Sequence, residues 1–288
     1  MILITGATGQ LGSLVIEHLL KKNVNADNIA ALVRKTSDTS RLKEWKITCR
    51  MADYEDPDAL SEALHGIDIL VFISGNDMQH RMKQHRNVVD MACRNGVRHI
   101  IYTGSVQGGS YLRPIVRDHI ETEKLIMESG MDYTILRNNL YMENIAGYMG
   151  NYFMEKGIYF PAGNGKIAFV SRSDIAAVIA NVVLDVDEHK RKTYNISNTE
   201  SYSFYDIARV ASYLTGKEIR YHNPTFENYL QQMVGKLPET ALHAILLFGQ
   251  AMAANEFHAR ETDMEKLLGH KPVGVDEYLK MFLKLKFE

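Results

Sequence analysis

Two cysteines in 288 residues are too few for a disulfide framework. Cys49 and Cys93 show neither a CxxC nor a Cys/His spacing, so neither a disulfide nor a zinc site is expected, and the sequence points to no other metal. Such thiols fit a reducing cytoplasm. Charge of one sign is equally scarce, with 33 Lys and Arg against 35 Asp and Glu. Without a basic excess to neutralise phosphates, direct nucleic-acid binding and an anionic membrane surface are not expected. Long apolar runs are missing as well. The longest, Ala244 to Ala254, is interrupted by Gly249 and Gln250 and falls short of the roughly 20 residues that a bilayer span requires. No basic and apolar leader precedes the first strand pattern. The expectation is a soluble, unprocessed, cytoplasmic chain with no membrane partner.

What the chain does have is a regular alternation. Short apolar, β-branched runs at 2–5, 29–33, 47–51, 69–73, 100–103 and 133–136 read as strands buried on both faces. Helical patterns at 11–22, 57–64, 79–95 and 117–129 separate them. This order predicts an α/β fold with a doubly wound parallel sheet, because right-handed crossovers place helices on both faces. A helix capped by Ser173-Asp174 and running to Leu184, a strand at 194–197 and a helix from Ser203 to Leu214 follow. The domain reading is a Rossmann domain at 1–137 and a smaller C-terminal α/β substrate-side region at 138–288, of which 166–197 adds elements packed on the first domain.

The first turn carries the strongest chemistry. Ile2-Leu3-Ile4 breaks into Thr5-Gly6-Ala7-Thr8-Gly9-Gln10-Leu11-Gly12 and then into a helix, the order that a dinucleotide pyrophosphate requires. Gly6 permits the tight turn, Gly9 lets phosphate approach the backbone, and Gly12 removes a side chain where helix packs on strand. A tight strand-to-helix turn without a ligand would use the same glycines. Arg34 and Lys35 stand after the second strand, 22 and 23 residues beyond Gly12, where an NAD-preferring protein places an acid on the ribose 2′-hydroxyl. They match either a 2′-phosphate, hence NADPH over NADH, or a solvated basic strand end. Asp53 either accepts from an adenine amino group or caps the helix before Pro57. Ser74-Gly75-Asn76 ends the fourth strand, either at a ligand crevice or in an ordinary turn.

In order along the chain, TGATGQLG, ALVR, ADY, QHRNVVD, DHIETEK, LRNNLYMEN and VSRSDIA resemble the NmrA-like branch of the atypical short-chain dehydrogenase/reductases. Within that branch the chain is most similar to bacterial NAD(P)H:quinone oxidoreductases and triphenylmethane reductases. The resemblance implies an NAD(P)-binding Rossmann domain, NADPH as cofactor, and a cofactor lining of Gly6 to Gly12 (Gly6, Ala7, Thr8, Gly9, Gln10, Leu11, Gly12), Arg34, Ser74, Gly75, Arg137, Asn138, Tyr141 and Arg172.

Ordinary short-chain dehydrogenases protonate a carbonyl with a Tyr-x-x-x-Lys pair. Counting back from Lys124 gives Ile120, so the tyrosine is missing. His119 and Glu123, four apart on one helix face, either position a proton donor or form a surface pair. His119 and Lys124 are the catalytic candidates. Tyr141, Met142, Tyr148, Tyr152 and Phe153 form either a flat wall for an acceptor ring or helical core. The leading functional reading is hydride transfer from NADPH to a quinone or similar flat, conjugated small molecule. The alternative is a nonenzymatic NAD(P)-binding redox sensor of the NmrA type acting on a protein partner. A nucleotide-sugar epimerase fits least well, since it needs the missing tyrosine.

Overall fold

The computed structural model describes residues 1–75, 77–236, 238–259 and 261–287. Strands and helices alternate from the start: β1 (Ile2–Ile4), α1 (Gln10–Lys21), β2 (Ile29–Val33), α2 (Ser40–Glu44), β3 (Thr48–Met51), α3 (Pro57–Leu64), β4 (Ile69–Ile73), α4 (Arg81–Arg94), β5 (His99–Ser105), α5 (Leu112–Glu128) and β6 (Asp132–Asn138). Then follow α6 (Ile145–Met149), α7 (Phe153–Lys156), β7 (Ile158–Tyr159), α8 (Arg172–Leu184), β8 (Lys192–Ile196), α9 (Phe204–Thr215), β9 (Tyr221–His222), α10 (Phe226–Met233), α11 (Glu239–Ala253), α12 (Met264–Leu268) and α13 (Val275–Phe287).

Seven strands form a parallel sheet in the order β3-β2-β1-β4-β5-β6-β8. β1 pairs with β2 through Leu3 and Ala30 and with β4 through Leu3 and Leu70, and all three residues are fully buried. The continuous burial of β1 and β2 explains why these strands lack polar alternation. Strand order reverses between β1 and β4, which places a crevice at the carboxyl ends of these two strands. On one face, Leu60 and Leu64 of α3, Val88 and Ala92 of α4 and Ile126 of α5 join Leu32, Phe72 and Tyr102 in one buried cluster. Each of the Leu, Val, Ile and Phe side chains contributes about 1.5–3 kcal/mol through burial. α8 packs along α1, each presenting buried residues such as Ile16, Leu19, Ile175 and Ile179.

The chain divides into two compact units, one of residues 1–105, 118–137 and 172–194, the other of residues 106–117, 138–171 and 195–288. Residues 106–117, expected with the first domain, lie in the second unit. In that unit β7 and β9 form a two-stranded parallel sheet, and α9 begins with a capping box between Ser203 and Asp206. Of the two readings of 141–153, acceptor wall and helical core, the core one holds for part of the stretch. Met142 and Phe153 are buried core, and Tyr148 packs against Phe160 and Phe204. Tyr152 is exposed, with the Lys156 ammonium 5.1 Å above its ring.

α5 starts at Leu112, five residues before the expected Arg117. Pro114 falls in the first turn, where its missing N–H costs nothing. The cap is the Glu256 carboxylate, which accepts from Leu112 N–H at 2.6 Å and from Tyr111 N–H at 3.2 Å, so no local signal announces the start. Among the described residues no helix is long and apolar enough to cross a membrane.

His99, fully buried at the start of β5, lies with Nε2 2.8 Å from Thr134 Oγ1. The Thr134 hydroxyl donates to the His189 carbonyl, so Nε2–H is the donor, and Nδ1 has no partner among the described residues. Burial holds this imidazole down at about 4, against an ordinary value of 6.5. Its stabilising contribution is therefore complete above pH 6.5 and is lost as pH falls towards 4, by about 3 kcal/mol at about 1.4 kcal/mol per pH unit. Denaturant unfolding of the wild type and His99→Gln at pH 7 and pH 4 should show the smaller acid loss in the variant. Equal losses would assign the acid sensitivity elsewhere.

Candidate functional site

A cavity of about 660 Å³ opens at the carboxyl ends of β1, β2 and β4, within the roughly 300–1,000 Å³ range of small-molecule sites. Its floor is the β1–α1 turn. Gly6 adopts φ +57°, a left-handed conformation that disfavours a side chain, and its carbonyl accepts from Gly9 N–H at 2.9 Å. Gly9 is the N-cap of α1 and has no capping side chain, so no side chain occupies the first-turn N–H groups. Gln10, Leu11 and Gly12 carry those groups into the cavity lining. Unpaired N–H groups and the helix dipole together favour an anion there. Gly12 is the tightest position, because an added Cβ would fall 2.8 Å from the Ala7 Cα and closer still to the Gly6 carbonyl. At Gly9 the nearest atom to such a Cβ is the Gly6 carbonyl oxygen at 3.1 Å, and its φ of −82° suits any residue.

The walls come from the next strand ends. Arg34 follows β2, where its N–H donates to Ser37 Oγ at 3.1 Å, and both residues line the cavity. Asp53 also lines it, with its carboxylate accepting from Glu55 N–H at 3.0 Å. The capping role considered for Asp53 belongs to Asp56, which accepts from Ala59 N–H. Beside it stands Tyr54, whose phenol burial pushes up to about 12 and so keeps protonated. Ser74 and Gly75 close the β4 side, and Arg172 reaches the cavity from the first turn of α8. Asn76 lies outside the described residues.

Of the sixteen cofactor candidates, Gly6, Thr8, Gly9, Gln10, Leu11, Gly12, Arg34, Asp53, Ser74, Gly75 and Arg172 line this cavity. Ala7 is buried beneath the turn, and Lys35 is exposed outside the lining. Arg137 is taken up by buried Glu123, which it meets with Nη2 at 2.7 Å and Nε at 3.1 Å from both carboxylate oxygens. Asn138 and Tyr141 belong to the second unit. Asn138 is 4% exposed, and its amide nitrogen and oxygen both lack partners among the described residues, the state of a group shaped for a ligand or an ordered water. Tyr141 is half-buried and bridges to Val170 through the main chain. Ser37, Tyr54, Asp77 and Gln84 are further polar lining residues that were not singled out by sequence, although Tyr54 and Gln84 fall within the ADY and QHRNVVD motifs.

The catalytic candidates part company. Lys124 is exposed and pairs with Glu121 at 3.0 Å, so its charge is spent at the helix surface. His119 is half-buried, with Nδ1 2.8 Å from the Tyr102 hydroxyl. Burial first, and the nearby Arg81 guanidinium second, hold it down at about 3, so it is neutral at physiological pH. Glu123, which shares its helix face, is committed to Arg137.

Residues 1–279 match the NmrA-like family, and the chain belongs to it. Quinone oxidoreductase 2 of Escherichia coli K12 is 39% identical over 226 residues, covering 77% of each chain. The structure of Citrobacter sp. triphenylmethane reductase complexed with NADP(H) matches with a TM-score of 0.91 at 34% identity, over 98% of this chain and 99% of that one. The Escherichia coli NADPH-dependent quinone oxidoreductase complexed with NADPH matches equally well, TM-score 0.91 at 32% identity, over 98% and 100% of the two chains.

Gly12→Ala should lower thermal stability, by about 1–3 kcal/mol for an overpacked contact that only backbone movement relieves. Gly9→Ala should leave the melting temperature nearly unchanged. Calorimetric melting of the two variants checks this, and equal stabilities would show that the turn is looser than its geometry.

Proposed function

We propose that this chain is an NADPH-dependent oxidoreductase that passes hydride to a quinone or a similar flat, conjugated small molecule. The observation that carries the reading is the cradle itself. A left-handed Gly6, an uncapped α1 N-terminus and a helix drawn in over Gly12 form an anion site at the switch point of a parallel sheet, with Arg34 beside it. NADPH, when bound, supplies the hydride. The chain's own part is to hold and orient it: first-turn N–H groups of α1 at the pyrophosphate, Arg34 and Ser37 at the 2′-phosphate, and Asp53 with Tyr54 on the adenosine side. Similarity to the two reductases in complex with NADP(H) supports this assignment.

The acceptor class follows from what the acid position cannot do. Ile120 replaces a tyrosine, Lys124 faces solvent, and His119 is a neutral imidazole, so no strong proton donor stands on this stretch of α5. A simple ketone reduced to an alkoxide needs such a donor. A quinone accepts hydride to give a delocalised oxyanion that water protonates, which leaves positioning as the protein's main contribution.

Three measurements follow from this assignment. NADPH should bind more tightly than NADH by about 1–3 kcal/mol, the scale of charge-assisted hydrogen bonds to phosphate, and Arg34→Ala should remove most of that margin in calorimetric titration. His119→Ala should cost less than about 10²-fold in turnover, the lower end for a general acid, and wild-type turnover should show no His119 titration between pH 5 and 8. NADPH oxidation followed by absorbance with a panel of quinones tests the activity itself. Tight NADPH binding without turnover on any of them would make the chain a dinucleotide sensor.

A further inference from the structure

The backbone leaving β4 is held by side chains. Ile73 N–H donates to Thr5 Oγ1 at 2.9 Å, and Ser74 N–H donates to Thr103 Oγ1 at 3.0 Å. Gly75 N–H donates to His85 Nε2 at 3.2 Å, while the Gly75 carbonyl accepts from Arg81 Nε at 2.9 Å. His85 and Arg81 lie four apart on the first turns of α4, and both are buried, at 0% and 8% exposure. The imidazole is itself fixed. With Nε2 accepting, its proton lies on Nδ1, which donates to Thr122 Oγ1 at 2.8 Å, and the Thr122 hydroxyl donates onward to the Asp118 carbonyl. Phe72 meets the ring edge-on at a centroid distance of 4.8 Å. Burial holds His85 neutral, down at about 3, so the Nε2 lone pair stays available at any physiological pH.

This arrangement bears directly on the cavity. Ser74 and Gly75 line it, and Ile73 lies against the glycine turn, 3.6 Å from where a Cβ on Gly6 would be. We propose that Arg81 and His85 are positioning residues for dinucleotide binding: they grip the C=O and N–H of Gly75 and so set the β4 wall of the cavity. The proposal rests on the cofactor assignment above. Neither residue lines the cavity, and both act through Gly75. Because both grips are single side-chain bonds, either can be removed without touching the main-chain ladder of β4.

Arg81→Met keeps the buried stem and loses the donor, and Arg81→Gln restores an N–H at the same reach from Cα. His85→Phe keeps the ring packing and loses the acceptor. Calorimetric NADPH titration of each variant, with thermal unfolding recorded in parallel, reads the effect. Arg81→Met and His85→Phe should weaken NADPH binding about ten-fold or more, the scale for stranding a buried polar group, and Arg81→Gln should recover most of the loss. In steady-state assays the change should fall on KM for NADPH rather than on kcat. Unchanged NADPH affinity in folded Arg81→Met would overturn the proposal, as would equal losses in Arg81→Met and Arg81→Gln. The Arg81 pair decides the matter if His85→Phe does not fold. Absence of NADPH binding to the wild type would instead overturn the cofactor assignment, an outcome visible before any variant is made.

Discussion

The approach of α1 to the end of β1 governs the rest of the site. A helix can bring its first-turn N–H groups to an anion at the sheet edge only if its first turn lies almost against the preceding turn, and at Gly12 the separation leaves no room for a single methyl group. That closeness goes with Gly6 in a left-handed conformation, while the lack of a capping side chain at Gly9 leaves the first-turn N–H groups open. The uncapped N–H groups are unfavourable in an empty apolar site and favourable beside a phosphate. The conformational demands of the turn and the chemistry of the site are thus one constraint.

Around that turn the polar groups released at strand ends are satisfied by side chains. Thr5, Thr103, His85 and Arg81 take up the backbone of 73–75, and Glu123 takes up Arg137 at the end of β6. Burial keeps His85 and His119 neutral, which makes them hydrogen-bonding groups rather than proton carriers at physiological pH. An arrangement of this kind fixes the backbone beside the cavity through side-chain hydrogen bonds, and its neutral imidazoles supply no strong acid. It suits a reaction in which orientation supplies most of the acceleration and solvent supplies the proton.

Much of the fold was legible because β1, β2, β4 and β5 are buried on both faces and the turns carry their own chemistry, whereas β3, also expected to be buried, lies at the sheet edge and is half-buried or exposed throughout. The glycine spacing, the β-branched runs and the basic residue after β2 are local signals, and each lies where the pattern put it. What escaped was encoded at a distance. The start of α5 depends on Glu256, 144 residues from Leu112 in sequence, and the surface pairing of Lys124 with Glu121 is indistinguishable in sequence from a lysine turned towards a ligand. Met142, Tyr152 and Phe153 fall outside any one helix, since the chain breaks between α6 and α7, so no single period tells that Met142 and Phe153 are core and Tyr152 is exposed. The grip on Gly75 combines β4 with the start of α4 and the middle of α5, a conjunction that no single motif displays.

Amide hydrogen exchange with and without NADPH tests the central claim most directly, since it reports where the dinucleotide lands. NADPH is expected to slow exchange in the 6–12 turn, at 34–37 and at 74–75, with little change at the opposite edge of the sheet. Protection confined to other segments, or none at saturating NADPH, would contradict the assignment of this cavity.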